Sequence, residues 1–368
     1  MEIFVFDLYF NRLGVIDDFI SLKIERNYDK LSELEMSIDA NSDAIKLLKA
    51  GHILAKSNDL KHGYLIMTDE YQDQKSSQLN IIAPSLNILL NRRLITGQQT
   101  YKGNAEDVIY SFINNNAIAT SVNRVLPNFY IDNVKRCGLS NDEISISNKY
   151  LDDATYQNCK KHDVSFDVIF DIPNKKYHVV VWKGTDRSTQ QDINSHVIFS
   201  KERENVIRQH YVESISDYKN VAIVAGEGEG LMRKYATVND NLKGFDRIEA
   251  FVDARDLQSK YKNENGDEIT LPDAEYTKLL NERGESKLSE YQKITTFESE
   301  VDLYANHVFG TDYAMGDIVS VKNDDLGIIM HPRIVSTLET YNKQGKELDI
   351  KFGTNIPTLT EKIKRMVK

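Results

Sequence analysis

Period-two alternation at both ends of this 368-residue chain constrains its fold more than any other feature. Over 19–24, Ile20, Leu22 and Ile24 point one way; over 34–38, Leu34, Met36 and Ile38 do the same. Successive strand side chains alternate between faces, so each segment is a strand with one buried and one wet side. Residues 3–9 are rich in β-branched and aromatic types, and 52–56, 63–71 and 78–83 read as further strands, the last two flanking a polar turn at 72–77. One short helix interrupts them at 43–50, with Ala44, Leu47 and Leu48 on one face and Gly51 at its end. So many short strands with one short helix predict a barrel or closed sheet over 1–95. An apolar helical turn at 84–90 ends it, followed by Arg92 and Arg93. Strand signals return at 196–200, 206–210, 221–225, 233–238 and 247–252, then at 295–304, 318–322, 327–340 and 347–352. They predict a second barrel domain made of 191–256 and 294–356.

Between the two lies an α+β domain, 96–190. Asn104 is placed to cap a helix over 105–115 with an apolar stripe of Val108, Ile109, Phe112 and Ile113. A second helix follows at 152–161, then a hairpin of 165–172 and 176–183 around Pro173-Asn174-Lys175. Residues 257–293 form a helical insertion. It holds a turn at Asn265-Gly266 and a helix over 273–292, expected to kink or split at Gly284. The chain should close with a helix in 357–368, with Thr358 and Glu361 as its capping box. The expected class is α+β, mainly β: two barrels, an α+β domain and a small helical insertion.

Charge excludes one class of function. Lys and Arg number 46 against 56 Asp and Glu, a net charge of −10, so the surface as a whole repels nucleic acid. No apolar run reaches the roughly 18 residues a membrane helix needs, and Glu2 and Asp7 are unlike the basic start of a signal peptide. No membrane insertion is expected. Cys137 and Cys159 are too few for a disulfide framework or a thiolate zinc site and read as reduced thiols made in a cytoplasm. The eight histidines include no i, i+4 pair, and neither a metal nor a cofactor is expected.

Three passages invite a chemical reading. The apolar run 221–225 leads into Gly226-Glu-Gly228-Glu-Gly230, like a dinucleotide loop. The third-glycine position is Leu231, Glu227 and Glu229 would repel a pyrophosphate, and 232–238 alternates like a strand. A glycine-rich hairpin or interface loop fits better. Paired carboxylates such as Glu298 and Glu300 raise the alternative of a cell-wall hydrolase, but 56 acids produce such pairs by chance. In 244–256, Arg247, Glu249 and Phe251 share one strand face while Ile248, Ala250 and Val252 share the other. Alternating charge of this kind seeks partners on a neighbouring strand or chain, an architectural role.

Several passages together resemble the hub proteins at the tip of siphophage tails. They are the N-terminal region shared by tail-associated lysins, related to the baseplate hubs of contractile tails. The similar passages are Met1-Glu-Ile-Phe-Val-Phe-Asp7 with Arg12-Leu-Gly14-Val-Ile16; Leu90-Asn-Arg92-Arg93-Leu-Ile95; and the 225–230 glycine loop with Arg233. They continue with Gly244, Arg247, Glu249 and Val252-Asp-Ala-Arg-Asp256, then Gly316-Asp-Ile-Val319 with Arg333-Ile334, and Phe352-Gly353 with Pro357-Thr-Leu359. Their order spans nearly the whole chain. The resemblance implies a homotrimeric ring in which three copies of two barrels mimic sixfold symmetry and continue the tail tube. The ring would enclose the path of DNA, which passes without specific binding. Partners would be the distal tail protein, the tail tube, the tape-measure protein, and receptor-binding or lysin components. The location would be the virion tail tip, after synthesis in the host cytoplasm. Interface or structural candidates are Arg92, Arg93, Gly226, Gly228, Gly230, Arg233, Arg247, Glu249, Asp253, Arg255 and Asp256. Longer relatives continue into a wall-cleaving or fibre domain, so a chain ending at Lys368 is expected to carry no enzyme.

Overall fold

The two alternating zones meet in one sheet. The computed structural model describes residues 1–73, 77–131, 136–262, 268–302 and 305–353. Its largest feature is an eight-stranded sheet, with strands in the spatial order Val206–Ser214, Ile294–Val301, Gly345–Gly353, Ile334–Asn342, Ser21–Asn27, Glu33–Asp39, Ser77–Pro84 and Thr68–Asp73. The seam between the zones is antiparallel and runs from Ser336 opposite Asn27 to Tyr341 opposite Leu22.

Each half of this sheet buries one face. Leu22, Ile24, Leu34, Met36, Leu79 and Ile81 pack with Ile3, Val5 and Leu54 of a second sheet. That sheet is four-stranded, in the order Arg12–Ile16, Ile3–Phe6, Ile53–Lys56, Asp59–Leu65. In the other half Phe297, Ile350 and Phe352 pack with Phe199 and Val321, from the small sheet of Ile198–Phe199, Ser320–Asn323 and Ile328–Met330. Apolar faces are thus covered by a facing sheet. Among the described residues strand pairing does not close either half into a barrel, which refines the two-barrel expectation to two sheet-on-sheet halves sharing one long sheet.

Among the described residues there are four α-helices: α1 (Ser42–Leu47), α2 (Ala105–Ile113), α3 (Leu151–Lys161) and α4 (Asp273–Leu288). Asn104 caps α2 as expected, its side chain accepting from the Glu106 amide at 3.1 Å. The hairpin of Ser165–Asp171 and Lys176–Trp182 forms, and Phe129–Ile131 adds to it as a parallel strand. With α2 and α3 it builds the middle core around Phe112, Phe166, Phe170 and Val179.

Helix α4 runs unbroken through Gly284, contrary to the expected kink. The glycine sits where the helix comes closest to the sheet beneath it. A Cβ there would lie 2.6 Å from Val238 and 2.7 Å from Val224. That sheet, Tyr235–Val238, Val221–Ala225 and Glu249–Asp253, shares one core with α4, built on Val224, Val252, Tyr276 and Leu280. The chain segment 221–253 therefore packs with the insertion helix and not on the strands of 294–353. Gly284→Ala is expected to destabilise this unit by about 1–3 kcal/mol through overpacking. Faster amide exchange across 221–253 and α4, with the middle core unchanged, is the readout. Unchanged exchange would refute the close-approach account. The turn at Asn265-Gly266 and the closing helix with Thr358 and Glu361 lie outside the described residues.

Candidate functional site

The wet face of the eight-stranded sheet is the most unusual surface. Alternation along each strand puts the core residues on one side, so their neighbours point to the other. Register then aligns them. Glu25 stands opposite Glu33, and Lys23 opposite Glu35. Asp39 and Glu70 share this side through Gln78 and Asn80. Across the seam lie Glu347 and Asp349, beside Thr340 and Leu338, then Glu300 opposite Asp349 and Glu298 opposite Lys351. Arg208 and His210 end the row. Nine carboxylates thus face three firmly basic groups, Lys23, Lys351 and Arg208, on one surface of eight strands.

Local ion pairs neutralise part of this charge. Arg208 reaches Glu300 at 2.6 Å and Lys351 reaches Glu298 at 3.3 Å. Lys30 also lies 3.6 Å from Glu25, whereas Glu33 and Asp349 stand against other carboxylates. Burial and then Glu35 and Glu25 push the Glu33 carboxyl up. Burial and then Glu300 and Glu347 do the same to Asp349. Glu298 and Glu300, the pair considered for hydrolysis, are tied to these bases on an open strand face.

Among the described residues both outer strands of the sheet have an unpaired edge, and each of these strands exposes a large apolar side chain. Tyr71 is 55% exposed on Thr68–Asp73, and Ile207 is 56% exposed on Val206–Ser214.

The remaining sequence candidates form a second locality. Gly226, Gly228 and Gly230 shape a hairpin in which the Gly226 amide donates to Lys234 at 2.8 Å and the Lys234 amide to Glu227 at 3.0 Å. A Cβ on Gly226 would sit 2.4 Å from the Tyr276 hydroxyl, and Gly228 has φ +92°. Only a three-residue turn, Gly230–Met232, follows before the next strand, so no helix N-terminus faces the loop. Arg233 donates to the carbonyls of Gly226 and Ala225 and to Asp253 at 2.7 Å. Arg255 also holds Asp253, and its hydrogen bond keeps that carboxyl below the usual range. Arg283 grips Asp256 at 3.0 and 2.9 Å. Arg247 pairs with Glu249 and Asp240. Each of these charges is matched inside one chain. Beside them Leu231 and Phe245 are fully exposed at the tips of two glycine turns.

Arg92 and Arg93 lie elsewhere, at the corner where Leu94–Asn104 begins, and Arg124 joins them. Sequence reasoning missed Arg124, which carries no local signal. It also missed a buried charge junction. Lys56 donates to both oxygens of Glu339 at 3.0 and 3.1 Å, and Lys346 and the Tyr341 hydroxyl bind the same carboxylate. Among the described residues no cluster of His, Cys, Asp and Glu is arranged to hold a metal ion, and no helix is long and apolar enough to cross a membrane.

Three solved tail proteins share this fold. The 43 kDa tail protein of prophage MuSo2 from Shewanella oneidensis superposes with a TM-score of 0.55 at 12% identity, covering 96% of this chain and 98% of that one. The prophage tail protein gp18 from Listeria monocytogenes EGD-e gives 0.53 at 12% identity, covering 100% and 98%. The tail protein from Neisseria meningitidis MC58 gives 0.54 at 11% identity, covering 95% of each chain. No curated protein matches the sequence. The chain belongs to the Siphovirus ReqiPepy6 Gp37-like protein family, which matches residues 2–354.

Proposed function

We propose that this tail protein is a structural hub: three copies join edge to edge into a ring that continues the tail tube, with the acidic sheet face turned to the lumen. The observation that carries this reading is the single eight-stranded sheet, acidic on its wet face, packed on its other face, and open at both edges. An unpaired edge with an exposed apolar side chain is an invitation to add another strand, and a ring leaves no edge over. A negative lining repels the DNA backbone, so DNA slides through without specific binding. The ring's outer contacts, to the distal tail protein, tail tube, tape-measure protein and receptor-binding or lysin components, would include the exposed Leu231 and Phe245 beside the glycine loop. The matched charges of Arg233, Arg247, Glu249, Asp253, Arg255 and Asp256 would then hold that surface rigid for docking. No catalytic role is assigned.

Mass in solution tests the ring. Native mass spectrometry is expected to find three times the 42.2 kDa of one chain. Tyr71→Lys with Ile207→Lys, which puts a charge on each edge, is expected to return single chains that keep the wild-type circular dichroism. Wild-type protein that stays a single chain at its highest soluble concentration counts against the ring.

A further inference from the structure

Most arginines in this acidic chain face a carboxylate. Arg187, Arg208, Arg233, Arg283 and Arg333 all do. The trio Arg92, Arg93 and Arg124 does not. Arg93 donates to the backbone carbonyls of Arg124, Arg92 and Val125, and Arg124 donates to that of Leu94. The Arg92 guanidinium makes no hydrogen bond or ion pair among the described residues. The three line a cavity of about 480 Å³ together with Asn91, Leu94 and Tyr150. Burial, then Arg124, then Arg92, depress the basicity of Arg93, so like charges crowd there.

We propose that this corner is a docking site for a carboxylate-rich segment of a neighbouring protein. The Arg92 guanidinium offers its whole fork of donors to a carboxylate, and Arg93 and Arg124, whose nitrogens already donate to backbone carbonyls, add positive charge beside it. Leu94 and Tyr150, 42% and 49% exposed, supply an apolar and aromatic rim of the kind that protein contacts use. A phosphate backbone would find no use for that rim and would meet the repulsion of a chain of net charge −10. The occupant is therefore an acidic peptide. The inference rests on the hub reading only in naming that peptide as part of an adjoining tail protein; the binding measurement below does not depend on the ring.

A fluorescent hexaglutamate peptide flanked by leucine and tyrosine is the probe, followed by anisotropy against the full chain. Saturable binding is expected, falling as salt rises. Arg92→Glu should weaken it about tenfold or more, the loss of roughly one charge-assisted hydrogen bond plus a new repulsion. Arg92→Lys should retain most of it. Because the Arg92 side chain makes no hydrogen bond or ion pair among the described residues, both variants should melt with the wild type, whereas changes at Arg93 or Arg124 would also remove backbone bonds. No saturable peptide binding, equal binding by Arg92→Glu, or tighter binding of an oligothymidylate of matched charge would each overturn the proposal. The trimer mass, measured without peptide, fails or stands separately.

Discussion

Lys56→Ala is expected to cost the fold about 3–5 kcal/mol, because it strands a buried carboxylate. Lys56 comes from Ile53–Lys56 of the four-stranded sheet, and Glu339 from Ile334–Asn342 at the centre of the long one. The side chains are 12% and 6% exposed, so little water can replace the lost ammonium. Burial alone would push Glu339 up; Lys56, the Tyr341 hydroxyl and Lys346 more than offset it and hold the carboxyl below its ordinary range. A carboxyl depressed in the folded state contributes stability above its unfolded value and loses it as pH falls through the folded one. The Lys56–Glu339 contribution is thus complete at neutral pH and fades under acid. Lys346 and Tyr341 remain after the substitution, which places the cost nearer the lower end. Urea midpoints at neutral pH read it out. Lys56→Met with Glu339→Leu should recover much of the loss, since no charge is left behind. A single variant within about 1 kcal/mol of wild type would show that the junction is solvated and not structural.

That junction marks where reading the sequence alone reached its limit. Strands set by their own alternation were legible: Leu22 and Ile24, or Leu34 and Met36, announce a buried face without any partner. So were caps and hairpins, because Asn104 and the Pro173-Asn174-Lys175 turn act within a few residues. Which strands pair depends on contacts across hundreds of residues. Ser336 beside Asn27 joins the two zones, and nothing local at either position foretells it. Two separate barrels were expected for that reason. Gly284 misled in a related way. A glycine in a helix reads as a break, yet here it is what lets Val238 and Val224 approach. The acidic face was hidden for the same cause: Glu25, Glu33, Asp349 and Glu300 fall into adjacent positions only after register is known. Arg92 and Arg93 were legible as neighbours after a short helix, but Arg124, which completes the unmatched trio, lies outside helices and strands with no pattern of its own.

Reversing the charge of the sheet face is expected to turn a surface that repels DNA into one that binds it. The variant replaces Glu33, Glu35, Glu347 and Asp349 with lysine. Among the described residues none of the four holds an ion pair; at Glu33 and Asp349 the change removes neighbours that repel, while at Glu35 it sets the new lysine opposite Lys23. The fold should therefore survive, with a melting temperature at or near that of wild type. Each new ammonium can meet one phosphate and release its counterion, so log affinity should fall with log salt at a slope of about −0.9 per contact. Four contacts per chain give a loss on the order of a hundredfold between roughly 50 and 200 mM salt. Wild-type protein should retain no DNA over that range, and the variant should retain single- and double-stranded DNA without regard to sequence, since no base edge is read. In assembled tails the same variant should slow DNA delivery while leaving particle assembly intact, because the substitutions lie on neither sheet edge. Equal DNA retention by the two proteins would remove electrostatic repulsion from the account of this face. Slowed delivery with no gain in DNA affinity would place the face on a contact with another tail component and not in the lumen of the proposed ring.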